Sequence, residues 1–179
     1  MEVIELKNAD KNFPGLVKEF GGHNLLACYQ CGTCSSDCPV STELFYRIRR
    51  IMRRAALGLK DRVLPEKDIW YCTTCFTCFD RCPQEANPTD VVLALRRLAA
   101  REGYTPQASR NTSANITKLG HAVPSLEEIE AKREAMGLPA RPPTAASYPE
   151  AIEEIQKVIK KRGIPEIIRF NMEKMELEE

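Results

Sequence analysis

The chain has 179 residues, a formal net charge of +1 and 28% charged residues, which indicates one globular domain or one small domain with extensions. This near-neutral charge favours neither a nucleic-acid partner nor an acidic membrane surface. No apolar run approaches the ~18 residues of a membrane helix, and the N-terminus lacks the basic and apolar regions of a secretory signal. We therefore expect a cytosolic protein with no nucleic-acid and no membrane partner.

Upstream of the first cysteine, the sequence predicts two short elements. Residues 3–6 favour a short strand. Residues 14–20 favour a short helix that ends at Gly21 and Gly22. We interpret residues 1–23 as an N-terminal extension.

Two groups of cysteines follow, each with the spacing C-x2-C-x2-C-x3-C-P. The first group contains Cys28, Cys31, Cys34, Cys38 and Pro39, and the second contains Cys72, Cys75, Cys78, Cys82 and Pro83. Every member recurs at an offset of 44 residues, as do Thr33 and Thr77, which indicates an internal duplication. In a reducing cytosol, so dense a set of thiols points to a metal or redox site.

The segments around the second group predict helices. Over residues 43–58, apolar residues recur at helical spacing and Gly58 is the predicted end; they are Leu44, Ile48, Ile51, Met52 and Ala55. We expect most arginines of this helix to form a solvated face, the alternative being that some of them offset negative charge at the cysteine site or meet an acidic partner. A second helix is predicted from Asn87, as the cap, through Pro88 to about Gly103.

Residues 105–179 contain no cysteine and predict a helical extension. Capping-box patterns at 125–128 and 147–150 predict helices that end near Met136 and Gly163. The proline-rich segment between these helices reads as an extended connector. We expect this extension to dock on a partner, the alternative being a flexible tail.

The spacing of the cysteines predicts two [4Fe-4S] clusters with crossed ligands. Three thiolates separated by two residues wrap around one cubane, whereas the cysteine before the proline commonly binds the other cluster. The first predicted ligand set is Cys28, Cys31, Cys34 and Cys82; the second is Cys72, Cys75, Cys78 and Cys38. Residues 24–104 are therefore predicted to form a helical two-cluster domain.

Other site chemistries have weaker support. A zinc site uses paired C-x2-C motifs rather than a triplet with a fourth Cys–Pro, so a zinc-bound interaction module is a distant alternative. His23 and His121 have no partner motif, and the sequence contains no phosphate loop, nucleophile elbow or dinucleotide fingerprint. We therefore expect no catalytic residue and no further cofactor, and a chain that conducts electrons between other sites.

Three segments carry a resemblance to a known family: Tyr29–Cys34, Asp37–Pro39 and Trp70–Cys78. They resemble the iron–sulfur C subunit of the CoB–CoM heterodisulfide reductase of methanogens. The resemblance implies an α-helical ferredoxin fold and an electron-transfer role without catalysis of its own. It also implies a complex in which a flavin-containing A subunit passes electrons through the C subunit to the B subunit. There, clusters held by CCG motifs reduce the CoM-S-S-CoB heterodisulfide, and a hydrogenase commonly supplies the electrons.

Electron-transfer subunits of other oxidoreductases are the alternative. Fumarate reductase iron–sulfur subunits carry a plant-type C-x4-C-x2-C module, whereas the 27 residues before Cys28 contain no cysteine. Proteins of the glycolate-oxidase type fuse the two-cluster domain to CCG repeats, which this sequence lacks. Both differences favour the heterodisulfide reductase family.

Overall fold

The computed structural model describes residues 6–44, 46–124 and 126–178, and contacts divide the chain into two compact units, 1–104 and 105–179. The first unit consists of short helices joined by turns. Its α-helices are α1 (Phe13–Glu19), α2 (Thr33–Ser36), α3 (Pro39–Leu44), α4 (Ile48–Ala56), α5 (Thr77–Asp80) and α6 (Pro88–Arg101). Its 3₁₀ helices are Leu6–Asn8, Leu25–Ala27, Lys60–Arg62 and Lys67–Tyr71. The predicted strand over residues 3–6 lies mostly outside the described residues.

The core of the first unit lies where α1, α4 and α6 pack against one another. Its centre is apolar and closed to solvent, and includes Phe13, Val17, Ile51, Met52, Val91 and Leu95. Full burial of one such side chain contributes about 1.5–3 kcal/mol to the stability of the fold. This core supports the two cysteine loops. The prediction for α6 is confirmed, with Asn87 at the cap position and Pro88 at the first helical position.

The prediction of one continuous helix over residues 43–58 is wrong, because the chain bends between α3 and α4. At the bend, two side chains donate hydrogen bonds to backbone carbonyls. The Ser41 hydroxyl donates to the Tyr46 carbonyl, and the Arg47 guanidinium donates to the carbonyls of Ser41 and Tyr46. The bend turns the Tyr46 side chain into the core, where it is completely buried.

The helix α4 ends at Ala56, and Gly58 follows it as expected. Gly58 has a φ of +73°, and a Cβ there would lie 2.2 Å from the carbonyl oxygen of Asp10. The Asp10 amide also donates to the Gly58 carbonyl at 2.8 Å. Only glycine allows this close contact between two backbone segments.

The second unit is also mainly helical and ends in a small hairpin. Its α-helices are α7 (Gln107–Leu119), α8 (Glu127–Ala135), α9 (Pro149–Lys161) and α10 (Ile164–Ile168), and a 3₁₀ helix spans Ala145–Ser147. The strands β1 (Phe170–Asn171) and β2 (Glu176–Leu177) pair in antiparallel, with Phe170 opposite Leu177. The small core of this unit is built around Ala114, Ile168 and Phe170.

One detail of the second unit differs from the sequence prediction, and another cannot be compared. The predicted cap Ser147 lies in the 3₁₀ helix, and α9 instead begins at Pro149 with Tyr148 at the cap position, because proline is well suited to the first helical turn. The other predicted cap, Ser125, lies outside the described residues, and α8 begins at Glu127. None of the helices that the structure describes is long and apolar enough to cross a membrane.

Candidate iron–sulfur centre

The two cysteine groups form loops with the same local structure. A 3₁₀ helix precedes each loop and has the first cysteine, Cys28 or Cys72, as its C-terminal cap. Each loop then enters a four-residue helix, α2 or α5, that carries the third cysteine, Cys34 or Cys78. The duplication in the sequence is therefore a duplication of backbone conformation.

The backbone of both loops alternates between left-handed and ordinary conformations. Gln30 and Gly32 have φ of 68° and 96° in the first loop, and Thr74 and Phe76 have φ of 55° and 62° in the second. Such alternation turns successive N–H groups to one side and creates a concavity that binds anions. A cluster with four thiolates carries a net negative charge, so this backbone suits it.

The first cavity lies inside the first loop and has an empty volume of about 330 Å³. The thiols that line it are those of Cys28, Cys31, Cys34 and Cys82. Three of these come from the first loop, and Cys82 comes from the second. The structure therefore brings together all four residues of the first predicted ligand set.

The second cavity, of about 270 Å³, has the reciprocal arrangement. The thiols that line it are those of Cys38, Cys72, Cys75 and Cys78, so Cys38 crosses from the first loop to the second. The four-residue helices α2 and α5 pack against each other, which brings the two loops together and makes this exchange possible.

Two longer helices begin at the cavities. Ile48 and Arg49, at the start of α4, line the second and the first cavity respectively. Pro88 and Thr89, at the start of α6, line the first and the second. Because the N-terminus of a helix carries a partial positive charge, both helices favour negative charge in the cavities.

Backbone amides and one side-chain amide donate to thiols in the structure. The Thr74 amide lies 3.4 Å from Cys72 Sγ, and the Ala86 amide lies 3.3 Å from Cys82 Sγ. The Gln30 side chain donates to Cys28 Sγ at 3.3 Å. Hydrogen bonds to ligand sulfurs stabilise the added electron of a reduced cluster and so influence its reduction potential.

A threonine hydroxyl lies next to the sulfur of the middle cysteine in each loop. Thr33 Oγ1 is 3.4 Å from Cys31 Sγ, and Thr77 Oγ1 is 3.5 Å from Cys75 Sγ. These hydrogen bonds lower the pKa of the Cys31 and Cys75 thiols. The repeated threonine therefore stabilises the thiolate form of the middle cysteine in each loop.

The third cysteines have the opposite environment. Burial, followed by the charge of Cys78, raises the pKa of Cys34 to about 12. Burial also raises the pKa of Cys78, although the Thr89 hydroxyl lies 3.1 Å from its sulfur. Metal ligation deprotonates thiols, so assembly of a cluster must release protons that burial otherwise retains.

The thiols that line the two cavities differ in their exposure to solvent. Cys34 and Cys78 are buried on the packed helices α2 and α5, whereas Cys31 and Cys75 are exposed. The first cavity thus has one exposed and one buried thiol, whereas the second has one exposed thiol and two buried ones, those of Cys38 and Cys78.

Several side chains outside the cysteine motifs hold the loops in position. Arg96 on α6 donates to the carbonyls of Ile69, Trp70 and Cys72 at 2.8, 2.9 and 2.5 Å. The Asn24 side chain donates to the Glu85 carbonyl at 3.0 Å, which ties the start of the first loop to the exit of the second.

A basic cavity lies beside the first loop. The arginines that line it are Arg47, Arg49, Arg50 and Arg53. Arg50 forms salt bridges with Asp68 and Glu66, and Arg49 also lines the first thiol cavity. The arginines of the predicted basic helix therefore serve different purposes: some pair with acids, and one lies directly at the cavity wall.

The residues present fit iron–sulfur clusters in their donor chemistry. Neither thiol cavity includes a carboxylate or imidazole among its described lining residues, and thiolates are the usual ligands of [4Fe-4S] clusters. Among the described residues, no three His, Cys, Asp or Glu side chains form a group suited to a single metal ion. The ligand sulfurs of a cubane lie further apart than those of a zinc site, because each thiolate binds a different iron. In a zinc site, every sulfur lies about 2.3 Å from one ion.

Comparison with known proteins supports this chemistry. The family model of the 4Fe-4S dicluster domain matches residues 24–86. The chain is 42% identical over its full length to the whole of an iron-sulfur C subunit of the CoB–CoM heterodisulfide reductase of Methanocaldococcus jannaschii. It is 41% identical, over 98% of its length, to 95% of the C subunit of H(2):CoB-CoM heterodisulfide,ferredoxin reductase of Methanothermobacter marburgensis. It is 42% identical, over 80% of its length, to 89% of the C subunit of Ferredoxin:CoB-CoM heterodisulfide reductase of Methanosarcina mazei. The match to the two-cluster domain and the helical structure confirm the predicted fold class.

Proposed function

The chain belongs to the family of the iron–sulfur C subunit of CoB–CoM heterodisulfide reductase, and we propose that it conducts electrons through two [4Fe-4S] clusters in such a complex. The observation that carries the proposal is the pair of adjacent cavities, each lined by four thiols. Cys28, Cys31, Cys34 and Cys82 hold one cluster, and Cys72, Cys75, Cys78 and Cys38 hold the other. When bound, the clusters supply one-electron oxidation and reduction.

The residues of the chain hold the clusters in series and control access to them. The buried thiols of Cys34 and Cys78 lie on the packed helices α2 and α5, and the exposed thiols of Cys31 and Cys75 mark the two ends. Electrons enter at one exposed end and leave at the other. The protein in between excludes water, and the backbone amides stabilise the added charge.

The reaction belongs to the assembly rather than to this chain. The names of the relatives associate them with reduction of the CoB–CoM heterodisulfide, in some cases with H2 or ferredoxin as a further substrate. Reduction of a disulfide consumes two electrons. We propose that a flavin-containing A subunit, together with its hydrogenase, delivers these electrons, and that the B subunit, whose clusters lie in CCG motifs, reduces the disulfide. The cytosolic location of the assembly stays a prediction.

The second unit is proposed to dock on another subunit. Its described residues include large apolar side chains that face solvent: Val123, Leu126, Ile129, Met136, Leu138, Tyr148 and Val158. Burial of such side chains against a partner would remove apolar surface from water, which supports docking. The apolar stripe predicted on α9 is only partly covered within the unit, which supports the same role.

Anaerobic purification followed by analysis of iron, sulfide and zinc tests the proposal. Two clusters require about eight iron and about eight sulfide per chain. Stoichiometric zinc without sulfide would contradict the proposal and support a zinc-bound interaction module.

A second experiment tests whether this chain accepts electrons without itself reducing a disulfide. The purified chain should accept electrons from a low-potential reductant, yet it should reduce no disulfide. Addition of the subunits that co-purify with the native complex should restore disulfide reduction. Turnover by the single chain would reveal a substrate site that the proposal lacks.

A further inference from the structure

The most unusual polar group in the first unit is the hydroxyl of Tyr46. This side chain is completely buried, and its hydroxyl has no hydrogen-bond partner among the described residues. Burial of an unpaired hydroxyl costs free energy comparable with the loss of a hydrogen bond. Such a group in a native core therefore requires a partner.

The position of Tyr46 limits what that partner can be. The residue follows Cys38 by eight positions and precedes Ile48, which lines the second cavity, by two. The Tyr46 ring belongs to the same buried cluster as Cys34, Cys38 and Cys78, and the last two of these belong to the second ligand set. The bend between α3 and α4 holds this position, because Ser41 and Arg47 bind the Tyr46 carbonyl.

The charged groups near the Tyr46 hydroxyl also associate it with the second cavity. Burial raises the pKa of Tyr46, and the charges of Cys72, Cys38 and Cys78 raise it further, whereas Arg96 acts in the opposite direction. The three cysteines belong to the second ligand set. A tyrosine hydroxyl has one proton to donate at neutral pH, and the Tyr46 side chain is buried in the core cluster that contains Cys38 and Cys78.

We propose that the Tyr46 hydroxyl donates a hydrogen bond to the sulfur shell of the cluster held by Cys38, Cys72, Cys75 and Cys78, and thereby raises the reduction potential of that cluster. This inference rests on the proposed function, since it requires a cluster in the second cavity. The physical reason is that a reduced cluster carries one more negative charge, which the donated proton stabilises. Tyr46 is not among the lining residues described for either thiol cavity, and it packs against the cysteines from within the buried core.

The test is the substitution Tyr46→Phe in the full chain with its clusters assembled. The ring and the core packing remain, and only the donor is lost. We expect the midpoint potential of one cluster to shift to a more negative value in an EPR-monitored titration, while the other stays unchanged. The affected signal should be the one that Cys75→Ser alters, rather than the one that Cys31→Ser alters.

A second readout separates a hydrogen bond from a change in packing. After exchange into D2O, proton ENDOR of the reduced wild-type protein should show an exchangeable coupling that Tyr46→Phe lacks. The matched control is Tyr104→Phe, which makes the same chemical change at an exposed position of the same unit. Its potentials and couplings should equal those of the wild type.

The outcomes distinguish this inference from the proposed function. Wild-type protein without about eight iron per chain would contradict the proposed function itself. Tyr46→Phe with full iron and sulfide, unchanged potentials and an unchanged ENDOR spectrum would overturn only the role of Tyr46. A shift confined to the cluster with Cys31 would also overturn it.

Discussion

The first and second cysteine loops adopt one backbone conformation with different side chains. Both contain two left-handed residues, but at the second of these positions the first loop has Gly32 and the second has Phe76. The 3₁₀ helix before the second loop is bound by Arg96 through three carbonyls. The comparison teaches that cysteine spacing sets the conformation, whereas the surrounding residues decide how firmly each loop is held.

The largest expected effect concerns the exchange of ligands between the loops. Cys38→Ser should damage the cluster whose other ligands come from the second loop, because its sulfur lines that cavity. Iron should fall from about eight toward about four per chain. The altered EPR signal should match that of Cys75→Ser.

The matched variant for this exchange is Cys82→Ser, which should instead alter the signal that Cys31→Ser alters. If each substitution damaged the cluster of its own loop, the reciprocal arrangement would be wrong, and each loop would close its own site.

An intermediate effect is expected at the arginine that holds the second loop. Arg96→Leu removes the charged donor from three carbonyls, at a cost of about 3 kcal/mol, since bonds to charged groups contribute about 1.5–3 kcal/mol each and are not additive. Under anaerobic chelator challenge, the cluster held by Cys75 should be lost first.

The adjacent Arg97 provides the control for this prediction. It donates to one carbonyl, that of Phe20, at 2.6 Å in an exposed position, so Arg97→Leu should cost only about 1.5 kcal/mol. Equal loss of both clusters in Arg96→Leu, or equal destabilisation by the two variants, would show that Arg96 does not stabilise the second loop selectively.

The smallest expected effect is that of a substitution at the left-handed position of Gly32. Gly32→Ala should cost about 1–2 kcal/mol from backbone strain, because the added Cβ has an ordinary contact of 3.8 Å with Arg49 and no clash. The thermal midpoint should therefore fall by about 4–8 °C per kcal/mol, as measured by circular dichroism without oxygen.

The reverse change, Phe76→Gly, should be nearly neutral. Relief of strain is offset by the greater flexibility of glycine in the unfolded chain and by loss of the edge-to-face contact with Phe79, whose ring centroid is 6.1 Å away. Equal destabilisation by both substitutions would mean that the two loops do not share a conformational requirement at this position.

Sequence reasoning was most successful where spacing alone determines the structure. The grouping of thiols into two cavities follows the spacing rule, although their ligation stays a prediction. The helix start at Asn87 and the turn at Gly58 were also predictable, because both depend on local backbone chemistry, although the Asn87 side chain makes no capping hydrogen bond.

Features that depend on tertiary contacts were missed. The bend before Ile48 is stabilised by Ser41 and Arg47, which read as ordinary helical residues. Arg96 has the same appearance on the amphipathic helix α6. The helix α7 was not predicted, because its polar sequence shows little apolar periodicity, and its packing against α9 and β2 stabilises it.

The reciprocal exchange of Cys38 and Cys82 has the form of a two-fold interface, in which each half supplies to the other what it receives. In a symmetric homodimer of one such 44-residue repeat, the two halves would have to be identical. Joining the repeats in one gene preserves the thiols and removes the obligation of symmetry. Gly32 and Phe76, or the one-sided Arg96, are differences that identical protomers cannot have. Fusion thus allows the two thiol cavities to acquire different surroundings.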